Sequence, residues 1–186
     1  MSTTLQDPAH KACEEIATVF AEVPVTALET LAEEIGGARR IAVHGVGREG
    51  LMLRALAMRL YHLGLDASVV GDMTTPPLGH GDLLLASAGP GHFATVEALM
   101  GVARGAGARV ALLTAQPEPG LGALAHNVVR LPARTMAAAG AGDAVLPMGS
   151  AYEGALFVFG ELLVRRLRER LGADEAAMRA RHTNLE

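Results

Sequence analysis

Short apolar runs alternate along the chain with longer segments in which apolar residues recur at helical spacing. The runs are four to six residues long, which suits a strand buried on both faces and is too short for a buried helix. Strands that alternate with helices predict a parallel sheet covered by helices on both faces. We therefore expect an α/β protein, an α/β/α sandwich built on a five-stranded parallel sheet, with strands at 40–44, 67–70, 83–86, 109–114 and 128–131.

The helical segments predict one domain in three parts. N-terminal helices occupy residues 1–38, an α/β core occupies 39–146, and C-terminal helices occupy 147–186. The first part breaks near Val23 and Pro24, after which Thr26 and Glu29 have the spacing of a capping box. Residues 136–143 are small and low in complexity, which is compatible with a mobile loop beside a site or with a connecting segment that has no functional role.

Two helices carry more apolar surface than one sheet covers. The segment 49–63 is apolar almost all round, and the segment 150–171 has an apolar stripe that includes Tyr152 and Phe159. A helix that is apolar on several faces is buried on several faces, since exposure would leave a large hydrophobic patch. The pattern therefore predicts a homo-oligomer, a dimer or a tetramer.

Charge, cysteine content and hydropathy argue against several classes of partner and site. The net charge of −4 argues against nucleic acid, because phosphate binding needs a basic face. A lone cysteine, Cys13, excludes an internal disulfide and a multi-cysteine zinc cluster. No signal pattern opens the chain and no apolar run approaches the length of a membrane span, so we expect a soluble cytoplasmic protein with no membrane partner.

Two glycine-containing turns follow predicted strands and precede helices. The turn at 88–91 would present backbone N–H groups at a helix N-terminus, where an anion or a polar sugar binds. The turn at 45–50 superficially resembles a dinucleotide fingerprint, but its last glycine and the next acidic residue are misplaced. Glycines for a tight strand–helix turn explain Gly45 and Gly47 better.

A few titratable side chains could carry chemistry. Glu153 could be the proton-transfer base of an aldose–ketose isomerase, or it could cap its own helix through a capping box with Ser150. His182 could be an ordinary surface histidine. His44 and His92 follow two strands and could bind a metal together with Glu49, or they could be structural.

At several places the sequence resembles the sugar isomerase (SIS) domain family, specifically 6-phospho-3-hexuloisomerase. The motifs span nearly the whole chain: Gly-Val-Gly-Arg at 45–48, Ala-Met-Arg-Leu at 57–60, Pro-Met-Gly-Ser-Ala-Tyr-Glu at 147–153, and Ala-Arg-His-Thr-Asn-Leu-Glu at 180–186. The resemblance implies a flavodoxin-like fold, usually tetrameric, and a cofactor-free interconversion of 3-hexulose 6-phosphate and fructose 6-phosphate through an enediol. It also implies that Glu153 is the catalytic base and that His182 assists ring opening or proton transfer.

The same resemblance suggests a set of substrate-binding positions around the two turns. They are Gly45, Gly47, Arg48, Glu49, Ser87, Ala88, Gly89, Gly91, His92 and Thr95. The family's phosphate loop reads Ser-Gly-Ser-Gly-Glu-Thr, whereas this chain has Ala-Gly-Pro-Gly-His-Phe at 88–93 and a glutamate, Glu49, in place of a serine. These departures predict that ordinary sugar phosphates bind weakly, or that the ligand differs.

Three functional hypotheses follow from these residues. The first is an isomerase that uses Glu153 and His182. The second is a non-enzymatic, sugar-binding or regulatory SIS domain. The third is an isomerase of an unphosphorylated sugar, assisted by a metal on His44, Glu49 and His92.

Overall fold

The computed structural model describes residues 4–117, 120–137 and 144–185, so most of the predicted loop at 136–143 lies outside the described residues. Five parallel strands form one sheet in the order β2-β1-β3-β4-β5. This is the flavodoxin-like order, and the predicted α/β/α fold is confirmed. The strands are β1 Ile41–Gly45, β2 Ala67–Val69, β3 Leu83–Ser87, β4 Arg109–Thr114 and β5 Asn127–Arg130.

Alternate residues of the central strands enter two separate cores. In β1 and β3, Ile41, Val43, Leu83 and Leu85 face one core, while Ala42, Leu84 and Ala86 face the other. All seven are at most 1% exposed, as expected for strands buried on both faces. The helices are α1 Gln6–Val19, α2 Val25–Gly37, α3 Gly47–His62, α4 Ala94–Gly105, α5 Ser150–Leu171 and α6 Glu175–Ala180.

The two faces of the sheet are covered unequally. Buried residues of α2, α3 and α5 join the first core, and the end of α1 contributes Val19. The second core is closed by α4 together with the 3₁₀ helix Gly120–Leu124. The predicted stripe of α5 is buried from Tyr152 to Leu167.

The capping box expected at Thr26 and Glu29 is wrong. The N-cap of α2 is Pro24, with no side-chain capping bond, because the chain enters the helix two residues before Thr26 and leaves that residue inside the first turn. The last helix, α6, is short and has a side-chain cap. It begins after Asp174, whose carboxylate accepts the N–H of Ala177 at 2.6 Å.

Apolar side chains remain exposed on α3 and α5 in the single chain. Leu51, Met58 and Tyr61 of α3 are 57%, 47% and 54% exposed, and they share one side of the helix. Phe157 and Leu162 of α5 are also exposed.

Among the described helices, none combines the length and hydrophobicity needed to cross a bilayer.

The turn between β1 and α3 depends on a close approach of two backbones. A β-carbon added at Gly50 would lie 2.4 Å from the carbonyl oxygen of Gly45, and one added at Gly45 would lie 2.9 Å from the amide nitrogen of Gly50. Because both neighbours are backbone atoms, they cannot swing aside. The two glycines therefore fix how closely the first turn of α3 sits on the end of β1.

We expect Gly50→Ala to destabilise the protein by roughly 1–3 kcal/mol, since the added methyl group forces the β1–α3 turn apart. Gly101→Ala in α4 is the matched control, because a β-carbon added there would meet no neighbouring atom within 4 Å. That control should gain about 0.5–1 kcal/mol from helix propensity. Urea unfolding of both variants checks the pair, and equal stabilities would contradict the tight-turn account.

Candidate functional site

A cavity of about 550 Å³ opens at the carboxyl end of the sheet. It lies where the chain leaves β1 and β3, which are neighbours in the sheet although β2 separates them in sequence. Open α/β sheets bind ligands at this kind of switch point. The cavity is lined by Val46, Gly47, Arg48, Glu49, Pro90, Phe93, Thr135, Met136, Pro147, Met148, Gly149, Ser150, Tyr152 and Glu153.

A buried carboxylate joins the two central turns. Glu49, in the first turn of α3, is only 7% exposed. It accepts the hydroxyl of Ser87 at 2.6 Å and the N–H of Gly89 at 3.0 and 3.2 Å, one distance to each carboxylate oxygen. The β1–α3 turn is thus hydrogen-bonded to the β3–α4 turn by one side chain.

Tyr152 of α5 completes this network from the other side. Its hydroxyl lies 3.2 Å from Ser87 Oγ. Because Ser87 donates its one proton to Glu49, the tyrosine donates to the serine. The ring also packs against Gly89, where an added β-carbon would lie 2.5 Å from the ring carbon Cε1. Glycine is therefore required at this position by the close approach of an aromatic side chain.

Burial sets the electrostatics of the network. Desolvation raises the pKa of Glu49, the bonds from Ser87 and Gly89 lower it, and the nearby charge of Glu153 raises it again. Burial also raises the pKa of Tyr152 well above its ordinary value, with the Glu49 charge adding to the effect. Glu49 is therefore harder to ionise than a carboxylate on the surface.

Glu153 points into the same cavity and pairs with Arg48. The guanidinium Nε of Arg48 donates to Glu153 Oε2, across 105 positions of sequence. The capping-box interpretation of Glu153 is wrong, since α5 begins after Gly149 and makes no side-chain capping bond. The carboxylate is free of that local role because it bonds an arginine from another helix instead.

Several predicted ligand donors are already used inside the protein. Ser87 and Gly89 bind Glu49, and the N–H of Gly91 donates to the carbonyl of Ala88 at 3.0 Å. Ser87 and Ala88 are both fully buried. These positions form the wall behind the cavity and do not face into it.

Other candidates lie outside the lining. His92 is exposed and its Nε2 lies 3.0 Å from Glu97 Oε2, and Thr95 is exposed on the first turn of α4. Gly45 packs against Gly50 as described above. Gly47, Arg48, Glu49 and Glu153 are the predicted site residues that line the cavity.

His182 lies away from Glu153 within one chain. Its ring packs on that of His62, with ring centroids 5.1 Å apart, beside a second cavity that is also lined by Arg168 and Arg179. His62 ends α3, whereas Arg48 begins it, and this span of α3 is about 21 Å long at 1.5 Å per residue. The structure therefore does not bring the predicted Glu153–His182 pair together in a single chain.

The proposed metal ligands are likewise not assembled. His44 has a buried Nε2 with no hydrogen-bond partner among the described residues, and burial lowers its pKa. Glu49 turns toward Ser87, and His92 pairs with Glu97. Within the described parts of the chain, no three His, Cys, Asp or Glu side chains are placed to hold a metal ion. The metal-assisted alternative therefore lacks its ligand set.

Sequence reasoning missed two members of the site. The apolar pattern presents Tyr152 only as part of the stripe of α5, although its hydroxyl bonds Ser87. Thr135 lines the cavity and is 6% exposed. A buried tyrosine usually bonds a polar partner, and that is the one available signal for Tyr152. Nothing in the sequence singles out Thr135.

Comparisons with known proteins agree with the fold and with the family resemblance. No protein-family model matches the chain. The 3-hexulose-6-phosphate isomerase of Mycobacterium gastri is 38% identical over 173 residues, which cover 93% of this chain and 87% of that protein. The protein of the same name from Bacillus subtilis is 35% identical over 159 residues, covering 85% of this chain and 86% of the relative.

Solved structures show the same architecture. A hypothetical protein of Methanococcus jannaschii, whose crystal structure was used to infer a 3-hexulose-6-phosphate isomerase function, superimposes with a TM-score of 0.83. It is 27% identical and the alignment covers 97% of this chain and 99% of that one. The sugar isomerase domain of an RpiR transcription factor from Sphaerobacter thermophilus, at 17% identity and a TM-score of 0.74, shares the fold.

We expect the raised pKa of Glu49 to make stability depend on pH. The folded protein holds this proton more tightly than the unfolded chain, so stability should fall as pH rises from the ordinary value of 4.5 through the higher folded-state pKa. Glu49→Gln should remove that part of the slope. Urea unfolding of both proteins across this range tests it, and parallel pH profiles would contradict it.

Proposed function

This chain belongs to the family of 3-hexulose-6-phosphate isomerases, within the SIS fold, and we propose that it is a sugar isomerase that moves a carbonyl group between adjacent carbons. The observation that supports this best is Glu153, a half-buried carboxylate that faces a sugar-sized cavity at the switch point of the sheet. A carboxylate in such a cavity is the group that an enediol isomerisation needs.

In the proposed reaction, Glu153 acts as the base. It takes a proton from the carbon next to the carbonyl, the C–H electron pair forms the C=C bond of an enediol, and the carbonyl oxygen gains a proton. Glu153 then returns its proton to the former carbonyl carbon while the neighbouring hydroxyl loses one, which leaves the carbonyl moved by one position. Arg48, bonded to Glu153, orients the carboxylate and places a positive charge beside the cavity, where negative charge develops on oxygen.

We propose that His182 of a second copy carries the proton between the two oxygens of the enediol. His182 is too far from Glu153 to act in its own chain, as the length of α3 shows. The exposed apolar residues of α3 and α5, Leu51, Met58, Tyr61, Phe157 and Leu162, offer a surface for that copy. We therefore propose a homo-oligomer, a dimer or a tetramer, whose sites combine two chains.

A rival function is sugar binding without catalysis. The same fold occurs in a transcription factor, as the Sphaerobacter thermophilus domain shows, so the fold alone does not decide between the two. The Arg48–Glu153 pair fits both functions, since a carboxylate can bond sugar hydroxyls as well as take a proton. The relatives named 3-hexulose-6-phosphate isomerase favour the enzyme. The reaction as written needs no cofactor. A cytoplasmic location and the absence of a nucleic-acid partner stay predictions.

We expect Glu153→Gln to lower turnover at least about 100-fold, as loss of a general base does. The melting temperature should change little, because the ion pair that is lost is partly exposed and worth about 1 kcal/mol or less. The measurement is NMR in D₂O of both conversion to the isomer and deuterium incorporation into carbon, with 3-hexulose 6-phosphate, fructose 6-phosphate and fructose as substrates.

Glu169→Gln is the matched control for this variant. Glu169 lies on the same helix, accepts a bond from Arg166 at 3.2 Å and stands far from the cavity, so its loss should leave exchange unchanged. If wild type binds one of the sugars but neither converts it to the isomer nor incorporates deuterium from D₂O, the binding rival replaces the isomerase.

We expect Glu153→Gln and His182→Ala to complement each other. Each variant alone should be inactive, but refolding an equal mixture should restore about one site in four, because random assembly then pairs intact Glu153 of one chain with intact His182 of another. Light scattering on the mixture should show a mass above the 19.3 kDa of one chain. An inactive mixture of confirmed hybrids would place both residues in the same chain or remove His182 from the reaction.

A further inference from the structure

We infer that Glu49 is a specificity-determining residue. Its carboxylate takes the place of a ligand anion on the β3–α4 turn, so that the site selects a sugar that brings no phosphate to this turn. The inference rests on the proposed function only in taking the ligand to be a sugar. The role of Glu49 as an internal anion follows from the hydrogen bonds and charges of the cavity wall.

The donors that Glu49 occupies are those a phosphate would use. The N–H of Gly89 lies 3.0 and 3.2 Å from the two carboxylate oxygens, and the hydroxyl of Ser87 lies 2.6 Å from one of them. Charge-assisted bonds from a strand–helix turn to an anion have this geometry. The next donor, the N–H of Gly91, is bonded to the carbonyl of Ala88, and Pro90 between them has no N–H.

Hydrogen bonds and packing hold the carboxylate of Glu49 in place. Glu49 is 7% exposed, and the ring of Tyr152 closes the far side of Gly89 while its hydroxyl bonds Ser87. If Glu49 turned out into the cavity, the Ser87 hydroxyl and the Gly89 N–H would be left buried without a partner unless the ligand replaced both bonds. A phosphate would therefore have to displace an anion that is already in place.

The charge of the cavity also disfavours a dianion. Of the lining residues that the structure describes, one is an arginine, Arg48, and two are carboxylates, Glu49 and Glu153. Arg48 is already paired with Glu153. The N-terminus of α4 favours an anion, but its dipole amounts to about half an elementary charge, which is less than the charge of one carboxylate. The balance therefore suits an uncharged hydroxyl-rich ligand.

Three variants distinguish the effect of occupying the Ser87 and Gly89 donors from the effect of negative charge alone. Glu49→Ser empties the position and frees the Ser87 hydroxyl and the Gly89 N–H. Glu49→Gln removes the charge but keeps a side chain of the same size in place. Glu97→Gln removes an equal charge nearby, from a residue that is exposed, pairs with His92 and does not line the cavity.

The experiment is calorimetric titration of each protein with fructose 6-phosphate and with fructose. Wild type should bind the two with affinities within about threefold of each other. Glu49→Ser should gain at least about tenfold for fructose 6-phosphate and change little for fructose, while Glu49→Gln gains less and Glu97→Gln gains nothing. Inorganic phosphate gives a second measure, since it should raise the melting temperature of Glu49→Ser but not of wild type.

Two outcomes would overturn the inference. One is wild type binding fructose 6-phosphate ten times or more tighter than fructose. The other is a Glu49→Ser protein, folded by its melting transition, that gains no affinity for fructose 6-phosphate or inorganic phosphate. Should Glu49→Ser fail to fold, the wild-type affinity ratio and the Glu49→Gln titration still decide the question.

The result is independent of whether the protein is an isomerase. Absence of both isomerisation and deuterium exchange with every sugar would remove the proposed function, while the affinity ratios would still report on Glu49. Conversely, exchange with fructose 6-phosphate at a rate far above that with fructose would retain the isomerase and reject the role given to Glu49.

Discussion

The rest of this structure depends on a parallel sheet whose central strands are buried on both faces. Solvent exposure is at most 1% at Ile41, Val43, Leu83 and Leu85. The residues between them are covered equally by the opposite layer. Such a sheet has no free face on which to build a site. Polar chemistry is therefore confined to the strand ends, and among these the junction of β1 and β3 is where the connections diverge and leave a cavity.

At that junction the buried carboxylate of Glu49 accepts hydrogen bonds that the β3–α4 turn could otherwise donate to a ligand. Desolvation of Glu49 is costly, and the bonds from Ser87 and Gly89 offset part of it without restoring an ordinary pKa. A protein tolerates such a group where it serves the site. Here it bonds the two turns to each other through groups of the protein itself.

The length of α3 separates the groups proposed to transfer protons. Arg48 and Glu153 lie at the N-terminal ends of α3 and α5, while His62 ends α3 and His182 packs on its ring. The two ends of α3 are about 20 Å apart, which is why the proposed site takes His182 from a second copy. The exposed apolar side of α3 gives the same chain a physical reason to associate.

The sequence by itself determined the layers of this protein, because periodicity is a local property. Apolar runs identified all five strands, the stripe from Tyr152 to Leu167 identified α5, and the motifs around Arg48 and Glu153 identified the family. Only the tertiary structure decided what those residues bond. Glu49 meets Ser87 across 38 positions and Arg48 meets Glu153 across 105, separations at which no local pattern specifies a partner. The capping boxes at 26–29 and 150–153 failed for the complementary reason: their local spacing was suitable, but the chain entered each helix at another residue, and for Glu153 a distant arginine offered a charged partner.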